Sequence, residues 1–194
     1  MLKKEIRKIY KDKRLQLSFS QKEKLDDLLL IQFQQLPLPY IQTLLSYWPI
    51  EEMKEVNTHH ITDFVEFRNP GLAIAYPVAD FATHTMKSVL TNDDTEFDLN
   101  EYQIIEPTGG EVLLNTAIDV VFIPLLAFDK NGYRVGYGKG FYDRFLATCR
   151  KDVIKIGFSY FEPVNNIKDT DANDIKMSYC ITPEHIYKLP WWNT

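Results

Sequence analysis

Short apolar strands alternate with helices along this chain, and that alternation limits its fold more than any other feature. Strands separated by helices are typical of βαβ units, whose strands pair in parallel and whose helices cover both faces of the sheet. We therefore predict one α/β domain over residues 1–194, with three layers (α/β/α) around a mainly parallel sheet. The predicted strands are Thr43–Trp48, Leu72–Val78, Met86–Leu90, Asp119–Pro124, Val153–Ser159 and Tyr179–Thr182.

Four helices are predicted from apolar spacing and from start and stop signals. Ser20 followed three residues later by Glu23 predicts a capping box at the start of the second helix. The polar stretch from Thr91 to Asn115 is predicted to be mostly loop, and Trp191 and Trp192 are predicted to be packing residues. The helices are predicted over residues 2–17, from Ser20 to before Pro37, after a cap at Asn57 or Thr58, and from Phe141 to Cys149.

Composition excludes several classes of protein. The chain carries 22 Lys+Arg and 27 Asp+Glu, a formal net charge of −5, which argues against a general nucleic-acid binder. Two cysteines cannot build a disulfide framework. The longest apolar run, Val120–Phe128, is too short to span a bilayer, and the first residues have no apolar segment of a secretion signal. We expect a cytoplasmic protein with no membrane or nucleic-acid partner.

Positive charge is concentrated at the N-terminus. Residues 1–14 hold seven basic and two acidic side chains, a surplus of +5. Lys3 and Arg7 lie one helical turn apart, so both can reach one anionic ligand. The alternative is a solvated helix face with no ligand. We expect this helix end to be mobile, and to bind a ligand rather than take part in chemistry.

The most informative segment is Pro124–Asp143, PLLAFDKNGYRVGYGKGFYD. A buried strand leads into a loop with four glycines, and a helix follows directly, which is a layout typical of phosphate binding at the carboxyl edge of a parallel sheet. Arg134 and Lys139 supply positive charge for phosphate oxygens, and Asp143 is a candidate Mg²⁺ ligand. The loop matches neither G-x-x-x-x-G-K-[ST] nor G-x-G-x-x-G, so a plain glycine-rich turn remains the alternative.

Two acidic groups are ambiguous from the sequence. Glu51, Glu52 and Glu55 crowd the loop after the first strand, where they are either solvated or orient a substrate amine or pterin-like ring. The same alternatives apply to Asp171 and Asp174.

The run FIPLLAFDKNGYRVGYGKGFYDRFL resembles the signature of 5-formyltetrahydrofolate cyclo-ligases, also called 5,10-methenyltetrahydrofolate synthetases. Three further segments resemble this family in the same order along the chain. They are KKEIR, similar to an N-terminal nucleotide-binding helix; SYWPIEEMKEVNT, similar to a strand and substrate loop; and NDIKMSYCIT, similar to an acidic segment with the last strand.

The resemblance implies ATP-dependent, Mg²⁺-requiring cyclisation of 5-formyltetrahydrofolate to 5,10-methenyltetrahydrofolate by a monomer. It implies Lys139 and Arg134 as catalytic residues, and ATP contacts by Lys3, Lys4, Arg7, Arg134, Gly136, Gly138, Lys139, Gly140 and Tyr142. It also implies substrate contacts by Ile50, Glu55, Tyr137 and Phe141, and Mg²⁺ ligands at Asp143 and Asp174.

The sequence departs from this family at two positions. Tyr137 stands where some relatives have a cation, and Ser178 stands where the family often has an acid. Two other functions compatible with the glycine loop are a small-molecule kinase and a non-catalytic nucleotide- or folate-binding module.

Overall fold

A computed structural model describes residues 1–190, so the predicted packing of Trp191 and Trp192 lies outside the described residues. The helices are α1 (Lys3–Leu15), α2 (Phe19–Gln34), α3 (His59–Arg68) and α4 (Phe141–Leu146), with short 3-10 helices at Glu51–Met53 and Asn115–Ala117. The strands are β1 (Thr43–Leu45), β2 (Ala73–Asp80), β3 (Thr85–Thr91), β4 (Phe97–Leu99), β5 (Ile105–Pro107), β6 (Val112–Leu113), β7 (Val120–Ile123), β8 (Ala127–Phe128), β9 (Arg134–Val135), β10 (Ile154–Phe158), β11 (Tyr179–Ile181) and β12 (Ile186–Lys188).

Eight strands form one sheet in the order β12-β11-β10-β7-β1-β2-β3-β6. The five central strands, β11 to β2, run parallel, and the outer strands β12, β3 and β6 pair antiparallel at the edges. The predicted mainly parallel sheet is confirmed. Strand β2 follows β1 along the chain and pairs on one side of it, whereas β7 comes later and pairs on the other side of β1. The carboxyl ends of β1 and β7 therefore flank a switch in strand order, where such sheets bind ligands.

Helices cover both faces of the sheet, as predicted. On one face, Leu29 and Phe33 of α2 and Ile61 of α3 pack on strand residues such as Phe122. On the other face, Phe145 and Leu146 of α4 pack in a second buried cluster with the side chains that β1, β7 and β11 direct to that side. The sheet side chains alternate between the two clusters because neighbouring residues of a strand point to opposite faces.

Helix α1 lies beside the glycine loop and packs there on the rest of the domain. Ile6 is fully buried among apolar residues that include Val135 and Ile167. The backbone N–H of Lys3 donates to Asp169 Oδ1 at 2.7 Å. The sequence pattern showed an amphipathic helix but not its docking partner, Asp169, which is 166 residues further along the chain than Lys3.

Two local predictions, both of helix ends, are wrong. The second helix starts two residues earlier than predicted, with Ser18 as its N-cap. Gln21 completes a capping box there, because its backbone N–H donates to Ser18 Oγ at 3.2 Å and its side-chain Oε1 accepts from Ser18 N at 2.8 Å. The fourth helix ends at Leu146 and does not reach Cys149. The stretch from Thr91 to Asn115 is mostly loop, as predicted, and also contains the short strands β4, β5 and β6, which are too short to show an alternating pattern. Among residues 1–190, no helix is long and apolar enough to cross a membrane.

Candidate active site

A cavity of about 420 Å³ opens where β1 and β7 end. Of the residues implied by the sequence, all but Lys4 line it; Lys4 is exposed on α1. The lining members of that set are Lys3, Arg7, Ile50, Glu55, Arg134, Gly136, Tyr137, Gly138, Lys139, Gly140, Phe141, Tyr142, Asp143 and Asp174. The cavity thus gathers residues from the N-terminal helix, the loop after β1, the glycine loop and the C-terminal segment.

The glycine loop begins with a tight hairpin between β8 and β9. Asp129 is fully buried and closes the turn, because its Oδ1 accepts from the backbone N–H groups of Asn131 and Tyr133. Its Oδ2 accepts from Ile167 N at 3.1 Å, which ties the hairpin to the C-terminal segment. Gly140 ends the loop as the N-cap of α4 with φ of 71°, a left-handed conformation that favours glycine.

Two of the loop's charged residues pair with each other. Arg134 Nη2 donates to Asp143 Oδ1 at 2.7 Å, and Arg134 Nη1 donates to the carbonyl oxygen of Ile175 at 2.6 Å. Asp143 Oδ1 also accepts from Ile175 N at 3.1 Å. These bonds fix the guanidinium and the carboxylate side by side on the cavity wall.

Helix α1 supplies a second ion pair across the cavity. Lys3 Nζ lies 2.6 and 2.5 Å from the two carboxylate oxygens of Asp174. Arg7 Nε donates to the carbonyl oxygen of Gly136 at 2.9 Å, and its guanidinium lies against Gly138. A Cβ at Gly138 would lie 3.0 Å from the Arg7 guanidinium, and the φ of 89° at this position also favours glycine.

Lys139 differs from the other basic residues of the cavity. Its side chain is exposed, and no carboxylate among residues 1–190 lies in ion-pair contact with its ammonium. Its backbone carbonyl accepts from Arg144 Nη2, which anchors the backbone at this point. The ammonium is therefore available to an anionic ligand.

Glu55 lines the same cavity, in contact with the glycine loop, and is 3% exposed. Its Oε2 accepts from the backbone N–H of Ile50 at 2.9 Å, and its Oε1 accepts from the hydroxyl of Tyr137. Burial raises the pKa of the Glu55 carboxyl, and the bond from Tyr137 opposes that rise. Glu51 and Glu52 are exposed, so the structure separates the buried Glu55 from its two neighbours, which the sequence could not do.

Part of the cavity wall is apolar and aromatic. Phe141 packs edge-on against Phe81, with ring centroids 5.1 Å apart, and Phe81 stacks on Tyr102 at 3.6 Å. Sequence reasoning missed Tyr47, Trp48, Pro77, Phe81, Met86, Ile104, Ile105 and Glu106, which also line the cavity. The aromatic end of the strand TLLSYW was a usable signal for Tyr47 and Trp48, whereas Phe81 and Tyr102 meet through folding of distant loops.

The carboxylates of the cavity suit a hard divalent cation. Asp143 and Asp174 offer oxygen ligands, and Mg²⁺ is usually held by one or two carboxylates together with substrate phosphates. Each of these aspartates already lies beside a basic side chain in this structure, Arg134 and Lys3 respectively. A bound cation together with phosphate groups can replace both ion pairs. The cation then neutralises the carboxylates of Asp143 and Asp174, and the phosphates neutralise Arg134 and Lys3.

Comparison with known proteins gives consistent matches. The sequence profile of the 5-formyltetrahydrofolate cyclo-ligase family matches residues 1–183. A 5-formyltetrahydrofolate cyclo-ligase of Mycoplasma pneumoniae is 32% identical over 164 residues, covering 82% of this chain and 86% of that protein. One from Mycoplasma genitalium is 47% identical over a 58-residue segment, 30% of this chain and 34% of that protein. A 5,10-methenyltetrahydrofolate synthetase structure from Aquifex aeolicus superposes with a TM-score of 0.79 at 26% identity, covering 98% of this chain and 94% of that one.

Proposed function

Since this chain belongs to the 5-formyltetrahydrofolate cyclo-ligase family, we propose that it uses ATP to convert 5-formyltetrahydrofolate into 5,10-methenyltetrahydrofolate, ADP and phosphate. One observation carries the proposal: a buried carboxylate, Glu55, and a basic glycine loop line one cavity. A carboxylate can accept from adjacent N–H groups of a pterin, and the loop can hold the phosphates. The cavity therefore offers both substrates a place side by side.

The chemistry would begin on the formyl oxygen of the folate. This oxygen attacks the γ-phosphorus of ATP, and the bond from that phosphorus to the β-phosphate oxygen breaks to release ADP. The neighbouring folate nitrogen then attacks the activated formyl carbon. The carbon–oxygen bond breaks, inorganic phosphate leaves with the former formyl oxygen, and the proton of the attacking nitrogen is lost to the departing phosphate or to solvent.

The residues of this chain would act mainly by position and charge. Lys139 faces the transferring phosphoryl group with an unpaired ammonium, and such preorganised charge lowers the barrier to phosphoryl transfer. Arg134 and Arg7 contact other phosphate oxygens. Ile50 and Phe141 pack on the folate and exclude water from the activated formyl group.

Mg²⁺ fits the same cavity through Asp143 and Asp174. The two aspartates would hold the ion, and a bound ion would offset negative charge on the ATP phosphates during transfer. Lys3, which now pairs with Asp174, would then be free to contact phosphate. We further propose that the protein acts in the cytoplasm, as a monomer and as a single domain over residues 1–194, with no nucleic-acid or membrane partner.

The absorbance of purified protein with 5-formyltetrahydrofolate, ATP and Mg²⁺ tests the proposal directly. Methenyltetrahydrofolate has its own near-ultraviolet band, and we expect this band to grow in step with ADP and free phosphate. Reactions that lack ATP or Mg²⁺ serve as controls. A small-molecule kinase would give ADP with phosphate retained on the product, and a binding module would give neither ADP nor the absorbance band; either result would reject the proposal.

A further inference from the structure

Arg14 is a buried arginine that the proposed reaction leaves without a role. It lies near the end of α1 and is 4% exposed, although it belongs to the most basic stretch of the chain. Its Nη1 donates to the carbonyl oxygen of Leu125 at 3.2 Å, and its Nη2 donates to the hydroxyl of Tyr137. The Nε of Arg14 is buried with no hydrogen-bond partner among the described residues. Burying a guanidinium with incomplete hydrogen bonding is costly, which points to a use for its charge.

A chain of hydrogen bonds connects Arg14 with Glu55. Arg14 donates to the Tyr137 hydroxyl, and that hydroxyl donates to Glu55 Oε1. The second carboxylate oxygen of Glu55 accepts from Ile50 N. Both oxygens are therefore held in fixed directions, and each keeps a lone pair for a ligand in the cavity.

Among residues 1–190, Arg14 is the cation that acts on the Glu55 carboxyl. The other ionisable groups around this carboxyl are Tyr47 after β1, Glu51 in the 3-10 helix, Tyr137 in the glycine loop and Tyr142 of α4. The hydroxyl of Tyr160, after β10, lies 3.1 Å from the carbonyl oxygen of Glu55 and 2.7 Å from Asp26 Oδ1. Lys54, next in sequence, directs its ammonium to the carbonyl oxygens of Leu15 and Leu17 instead.

We infer that Arg14 is a positioning residue for folate binding, which keeps Glu55 charged and correctly oriented through the hydroxyl of Tyr137. The inference rests on the proposed function, because it assigns Glu55 to the folate ring. Burial alone favours the protonated form of Glu55, which would present a donor to a pterin N–H group. The positive charge of Arg14 opposes this change, so Glu55 remains an acceptor in the pH range in which the enzyme works.

Titration of the Glu55 carboxyl by ¹³C NMR in the ligand-free protein tests this coupling, with Glu55→Gln used to assign the signal. Arg14→Met removes the charge and keeps an unbranched side chain, and we expect the titration midpoint to rise by about one to three pH units. Arg14→Lys retains the charge and should restore most of the shift. Lys11→Met removes one charge from an exposed site of the same helix and should leave the midpoint unchanged.

Tyr137→Phe keeps the test decisive if Arg14→Met does not fold. This substitution breaks the hydrogen-bond chain near the surface, with Arg14 still in place, and the midpoint should again rise. An unchanged midpoint in either folded variant would overturn the inference.

Folate binding gives a second readout. In Arg14→Met, affinity for 5-formyltetrahydrofolate should fall at neutral pH and recover as the pH rises past the new midpoint, while ATP affinity stays constant. A loss of equal size at every pH would mean a structural role only and would refute the inference. If the wild type itself does not bind 5-formyltetrahydrofolate, the proposed function fails, whereas the NMR titration still decides whether Arg14 controls Glu55.

Discussion

Lys139→Ala isolates the contribution of one positive charge to the proposed phosphoryl transfer. The Lys139 side chain is exposed, and its ammonium has no ion-pair partner within residues 1–190, so its removal strands no carboxylate. We expect turnover to fall by about 100- to 1,000-fold, equivalent to about 2.7–4 kcal/mol, the usual loss for one preorganised group that stabilises developing charge. The free energy of unfolding should change by less than about 0.5 kcal/mol, because the substitution is at the surface.

The assay measures kcat and KM for both substrates through the growth of methenyltetrahydrofolate absorbance, together with Tm. Tm should remain within about 2 °C of the wild type, since 1 kcal/mol moves Tm by about 2–4 °C in a chain of this size. Lys151→Ala is the matched control, because Lys151 is an exposed lysine in a turn outside the cavity. Turnover of a folded Lys139→Ala protein close to that of Lys151→Ala would refute the role given to Lys139.

Four other predictions use the same structure. Glu55→Gln should weaken 5-formyltetrahydrofolate binding by about 1.5–3 kcal/mol, because a charged acceptor is lost; calorimetric titration should show unchanged ATP binding, and equal losses for both ligands would contradict the assignment. The raised pKa of Glu55 means that its contribution to stability is complete below the unfolded-state pKa and is lost as pH rises through the folded-state pKa; the Tm of Glu55→Gln relative to wild type should therefore increase with pH, and a constant difference would argue against a buried, titrating carboxyl. Ile6→Ala should cost about 2–5 kcal/mol in urea unfolding, because Ile6 is fully buried; a loss below about 1 kcal/mol would mean that α1 is not docked in solution. Asp143→Asn should raise the Mg²⁺ concentration for half-maximal turnover by at least about tenfold, a loss seen even for residues that only support a metal ligand, and an unchanged Mg²⁺ dependence would remove Asp143 from the metal site.

The position of the site could be predicted because it depends on local patterns. Glu55 follows β1 and the glycine loop follows β7, and parallel strands bring their carboxyl ends to one edge. The sequence could not show which of Glu51, Glu52 and Glu55 is buried, because all three belong to one polar loop. Glu51 and Glu52 are exposed because they lie in the 3-10 helix at Glu51–Met53, whereas Glu55 follows this helix and is buried.

Arg14 was the main residue that sequence reasoning missed. It is one of the seven basic side chains of residues 1–14, and a basic residue in such a stretch is expected to be solvated. A usable signal was present, since Ile6, Tyr10 and Arg14 follow one another at intervals of four and share one helix face. The ion pair of Lys3 with Asp174 was also not predictable, because it depends on how α1 docks, and the pair of Arg134 with Asp143 depends on how the glycine loop folds back on α4.

The contact between Lys3 and Asp174 has a consequence for biosynthesis. The two residues are 171 positions apart, so a ribosome adding about 5–20 residues per second needs roughly 10–30 s to make the second after the first. Until then α1 has no C-terminal segment on which to dock, because Asp169 and Ile167 are also missing. The nucleotide half of the cavity therefore cannot close before this segment is made, and a nascent chain that has already paired β1 with β7 still lacks one wall of its phosphate site.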